Sequence, residues 1–102
     1  MDSEAVRQRI NQLKDRDAVI RQRAAEALGA DSAAAPEVVP ALMAALRDTS
    51  CGVRRRAAES LGKLGGVAAS AVPGLTDALR DRIHTVRDAA RIALARINDQ
   101  AG

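Results

Sequence analysis

His84 and Asp88 stand four residues apart, a spacing that puts two side chains on one face of a helix and makes half of a metal site. Zinc needs three or four ligands. The chain has no second histidine, and its single cysteine, Cys51, lies 33 residues before His84. Both His84 and Cys51 therefore read as exposed side chains near helix starts, and no metal is expected. Other reaction types find no residues to carry them. There is no glycine-rich phosphate loop behind a strand, no pair of buried carboxylates and no nucleophile–histidine–acid arrangement. The expectation is a protein without catalysis and without a cofactor.

The most regular polar residues form two series. Asp15, Asp48 and Asp81 recur at intervals of 33, and so do Arg21, Arg54 and Arg87. One reading is an anion-binding track. The structural reading is favoured: each Asp, in a turn, accepts from an Arg one turn into the following helix, in its own or an adjacent repeat. In the run Arg54-Arg55-Arg56 the side chains point about 100° apart around a helix. Arg54 belongs to the series. Arg56, like Arg23, has an acid three residues on (Glu59 and Glu26) and is expected to pair with it. Arg55 is left free.

The elements that hold these residues follow from a repeat. Residues 13–29 and 46–62 agree at nine of seventeen positions, and residues 79–95 continue the pattern. A fixed period of this size marks a solenoid, whose units contact only their neighbours. Apolar residues fall at helical spacing. They predict helices over about 3–14, 18–28, 36–47, 50–61, 70–80 and 83–98. Asp2 or Ser3, Asp17, Ser50 or Thr49, and Ser70 are the expected N-caps. Pro36 and Pro40 are expected only at the start of the third helix, and Pro73 in the first turn of the fifth. Gly29 should end the second helix in a left-handed cap, and Gly62 should end the fourth. The last helix has Ala95 where a glycine stop is expected, so it should run on through Ile97.

Composition bounds the function. Hydrophobic residues make up 47% and none is aromatic, so close-packed helices are favoured and base stacking is unavailable. Net charge is +3 and the pI about 10.0. This excess is spread along the chain, which argues against nucleic acid as the partner. No apolar run approaches membrane-span length and no signal-type segment appears, so a cytoplasmic protein without membrane contact is expected.

Taken together, Pro40, Leu42, Ala45, Leu46, Asp48, Val53, Arg54, Ala57, Ala58, Leu61 and Gly62 form a pattern that resembles the HEAT repeat. It is closest to the short bacterial and archaeal type that includes phycobilisome lyases. Pro73, Leu75, Ala78, Leu79, Asp81, Val86, Arg87, Ala90 and Leu94 repeat it, as do Leu13, Asp15, Ile20, Arg21, Ala24, Ala25, Leu28 and Gly29. The resemblance implies an all-α, right-handed α-solenoid. Six helices would form three antiparallel pairs in one domain over 1–102, with repeats at about 1–33, 34–66 and 67–102. It also implies that the first helices form a convex layer, that the second helices line a concave one, and that the Asp–Arg series makes a stacked ladder.

Opposite the Ile20/Ala24/Leu28 face lie Ala18, Gln22 and Glu26. The equivalents are Cys51, Arg55 and Glu59, then His84, Asp88 and Ile92. These positions vary while the core positions hold, which makes the stripe Gln22, Glu26, Cys51, Arg55, Glu59, His84, Asp88 and Ile92 the expected binding surface. The expected function is protein–protein interaction, as a small scaffold, adaptor or regulatory subunit. A chromophore-lyase-type chaperone is the alternative, and phosphate-backbone binding a third. Arg9 and Gln12 replace Leu42 and Ala45, and Arg91 replaces Ala58, so both ends are softened as in a complete small solenoid. Self-association as a homo-oligomer through those ends is the nearest variant.

Overall fold

Aspartate side chains open the first two helices. Asp2 accepts from the Ala5 amide at 2.8 Å and Asp17 from the Val19 amide at 2.8 Å. Each satisfies an amide that has no partner inside the helix. The computed structural model describes residues 1–101. Its α-helices are α1 (Ser3–Gln12), α2 (Ala18–Leu28), α3 (Ala35–Ala45), α4 (Cys51–Leu64), the short α5 (Val72–Ala78) and α6 (His84–Ala101). Five of these have ten residues or more, whereas α5 has seven. Turns of 3-10 helix precede α3 at Ser32–Ala34 and α5 at Gly65–Ala71. No strand occurs among the described residues.

The helices pack in two layers. In one, α4 lies between α2 and α6. In the other, α3 lies between α1 and the Gly65–Ala71 segment. Between layers, α1 packs on α2, α3 on α4, and α5 on α6. The molecule is a slab of 32 × 29 × 15 Å. Leu28, Leu42, Leu61 and Leu75 are fully buried between the layers, each burial contributing about 1.5–3 kcal/mol. Arg9, where the second and third repeats carry leucine, is exposed and donates to Gln12 at 3.0 Å. Arg91 is likewise exposed and pairs with Asp88 at 3.2 Å.

Several expected boundaries move. Gly29 has φ −75°, a right-handed rather than left-handed C-cap. Gly62 does not stop α4, which runs two residues further to Leu64. Both glycines instead permit close approach. A Cβ at Gly29 would stand 2.7 Å from Ser60 Cβ, and one at Gly62 would stand 2.9 Å from Ala93 Cα. The true stop is Gly65, whose φ of 68° and ψ of −138° suit only glycine. Pro40 is not at the start of α3 but in its second turn. Its ring faces solvent, where the carbonyl that it leaves unpaired can be hydrated. Ser70 caps nothing: α5 starts after Ala71 without a side-chain cap. Ser50 sits at the N-cap of α4 but its side chain makes no cap bond. The long last helix runs past Ile97 as expected.

Candidate functional site

The Asp–Arg series forms a ladder with two different rungs. Within a repeat, Arg21 Nη1 donates to the carbonyls of Asp15 at 2.8 Å and Arg16 at 3.0 Å. Arg54 Nη1 does the same to Asp48 at 2.9 Å and Thr49 at 3.3 Å. Arg87 Nη1 reaches the Asp81 carbonyl at 2.6 Å. Between repeats the remaining nitrogens grip a carboxylate. Arg21 binds Asp48 through Nε at 3.0 Å and Nη2 at 3.1 Å, and Arg54 binds Asp81 at 2.8 and 3.2 Å. Each carboxylate also caps its own turn: Asp48 accepts from the Ser50 amide and Asp81 from the Ile83 amide, both at 2.9 Å.

The planar guanidinium fork suits this two-point grip. Hydrogen bonding from Arg54, with help from the Ile83 amide, holds the Asp81 carboxyl below its usual range against some desolvation. Asp81 in turn raises the Arg54 pKa further above an already high value. With both partners engaged by protein, these groups position the repeats.

The second feature is a groove of about 400 Å³ between α4 and α6. One wall carries Arg55, Arg56, Glu59 and Lys63. The other carries Thr85, Asp88, Ile92 and Arg96, with Gly62, Ala89 and Ala93 also in the lining. The groove exists because Gly62 meets Ala93 backbone to backbone, so small residues line its depth and long ones its rims. Ile92 is 48% exposed.

Charges in the groove divide into paired and unpaired. Arg56 Nη1 donates to Glu59 at 3.0 Å and lies 3.9 Å from Glu26. Asp88 is held by Arg91. Arg55, Lys63 and Arg96 have no ion-pair partner within 4 Å among the described residues. The expected Arg23–Glu26 pair does not form: Glu26 turns across the repeat boundary towards Arg56 instead.

The predicted stripe is therefore split. Arg55, Glu59, Asp88 and Ile92 come together in the groove. Gln22 does not join them; its amide lies over α4, where a Cβ at Gly52 would come within 2.5 Å of its Oε1. Glu26 is an exposed neighbour of Arg56 outside the groove lining. Cys51 and His84 are exposed first residues of α4 and α6 and do not line it. No group of His, Cys, Asp or Glu among the described residues has metal-site geometry.

Lys63 and Arg96 line the groove but are not among the predicted stripe residues. Each lies four residues beyond a stripe member, Glu59 and Ile92. That spacing continues the stripe along each helix, and at Lys63 it is masked by Gly62, which resembles a helix stop.

No helix among the described residues is long and apolar enough to cross a membrane. No curated protein sequence matches the chain. The family model for HEAT repeats matches residues 6–95, nearly the whole chain, and does not single out the lyase-type subgroup. With its two-layer helical packing and its inter-repeat arginine rungs, the chain belongs to the HEAT repeat family.

Proposed function

We propose that this chain is a non-catalytic protein–protein interaction module, a small scaffold or adaptor. Its three repeats form antiparallel helix pairs in a right-handed solenoid over 1–102, with α2, α4 and α6 on the concave side. HEAT repeats generally mediate protein–protein contacts. One observation supports placing the contact there: four residues of the stripe (Arg55, Glu59, Asp88 and Ile92) converge on one groove, while the inter-repeat pairs Arg21–Asp48 and Arg54–Asp81 are engaged in holding the repeats. A fixed scaffold with a variable groove is how repeat proteins separate folding from recognition.

Site-specific photo-crosslinking tests this. A photoreactive residue replaces Ile92 in the groove or Val67, an exposed apolar residue outside it. In native extract, a discrete protein adduct from position 92 and none from position 67 is the expected result. Adducts from position 67 alone would place the contact outside the groove and overturn the reading.

A further inference from the structure

Resting on the reading of the α4–α6 groove as a protein-binding surface, we propose that its occupant is an acidic peptide segment with a single aliphatic side chain. Charge complementarity carries this. The groove holds two acids, Glu59 and Asp88, each paired with an arginine, at 3.0 and 3.2 Å. Its three other charges, Arg55, Lys63 and Arg96, are all cationic and without an ion-pair partner among the described residues. Arg55 and Lys63 lie eight residues apart on α4, Arg96 on the facing helix. Together they flank the groove on both sides, so a segment lying along it meets a cation from either wall. Between them, Ile92 offers the one large half-exposed apolar surface in the lining. Covering it with an aliphatic side chain removes apolar area from water.

The same features favour a peptide over a nucleic acid backbone. A phosphate chain carries charge continuously, and Glu59 and Asp88 would stand against it mid-groove. Ile92 has nothing to meet on a phosphate, and the chain has no aromatic side chain on which bases could stack. A peptide can leave a gap in its acids opposite Glu59 and Asp88 and place its aliphatic residue there.

The test pans a library of short random peptides on the full chain and on a variant carrying Arg55→Glu, Lys63→Glu and Arg96→Glu. Circular dichroism first establishes that the variant melts like the wild type; if it does not, the single Arg96→Glu variant replaces it, since Arg96 is exposed near the end of α6. Wild-type selection is expected to enrich Asp and Glu around one Leu, Ile or Val. A selected peptide, synthesised and labelled, should bind the charge-reversed protein roughly tenfold or more weakly, and Ile92→Asp more weakly as well. Groove-dependent peptides without acidic enrichment would overturn the acidic partner and leave the groove reading standing. Peptides whose binding ignores both variants, or no enrichment at all, would overturn both. Tighter, groove-dependent binding of a DNA duplex than of any selected peptide would overturn the proposal in favour of a phosphate backbone.

Discussion

Arg54 spans a repeat boundary to hold Asp81 with two nitrogens, Nε to Oδ2 at 2.8 Å and Nη2 to Oδ1 at 3.2 Å. Its third nitrogen holds the Asp48 carbonyl in its own repeat. One side chain thus fixes the turn behind it and the repeat ahead of it, and Arg21 does the same one repeat earlier.

Removing that bridge should loosen the stack. Arg54→Ala is expected to cost about 1–2 kcal/mol, the value of charge-assisted bonds after allowance for solvent screening. At about 4–8 °C per kcal/mol for a domain of this size, the thermal midpoint drops visibly. Arg54→Lys should recover only part of the loss, because one ammonium cannot span both carboxylate oxygens and the carbonyl. Melting followed by circular dichroism checks both variants, and an unchanged midpoint for Arg54→Ala would remove the ladder from the stability account.

The same rung predicts a pH dependence. Arg54 holds the Asp81 carboxyl below its ordinary range in the folded chain. The folded state therefore binds fewer protons than the unfolded one as pH falls through the carboxylate region, and acid favours unfolding. The contribution is fully present above about pH 4, the unfolded value, and fades as pH falls towards the lower folded value. Denaturant titrations of wild type and Asp81→Asn should show a gap at neutral pH that narrows below about pH 4. A constant gap would contradict the assigned cause.

Glycine positions make a sharper packing test. Ala is the better helix former by about 1 kcal/mol, so Gly62→Ala would stabilise α4 if Gly62 were merely helical. A methyl there stands 2.9 Å from Ala93 Cα, backbone that cannot swing aside. Overpacking costs about 1–3 kcal/mol, and net destabilisation is expected. Gly74→Ala meets only the tip of Leu46, at 3.3 Å from Cδ1. It should melt at or above the wild-type temperature. A higher midpoint for Gly62→Ala would show that α4 and α6 are not held as close as described.

These residues also show what was legible in the sequence. The Asp and Arg series was, because a ladder must repeat with the fold's own period. So were the buried leucines and most of α2 and α6. Gly62 was not: a glycine after a helical run reads locally as a stop, and only the facing Ala93 reveals that it serves close approach. A stop at Gly62 would end α4 early and leave out Lys63, one helical turn beyond Glu59. Pro40 was not legible either: it is tolerated in the second turn of α3 because its ring lies at the exposed surface, where the carbonyl left unpaired can be hydrated. The split of the stripe was also invisible. It follows from pairing across repeats, such as Glu26 with Arg56, that one helix alone does not specify.

Adjacent residues Arg54 and Arg55 separate scaffold from groove most directly. Thermal midpoint and recovery of a bound protein from native extract are measured together for Arg54→Ala and Arg55→Glu, with recovery taken well below both midpoints. Arg55→Glu is expected to keep the wild-type midpoint and lose the bound protein. Arg54→Ala is expected to melt earlier and still recover it. The reverse pattern, with binding lost at Arg54 and stability lost at Arg55, would contradict the division of this chain into a fixed ladder and a recognising groove.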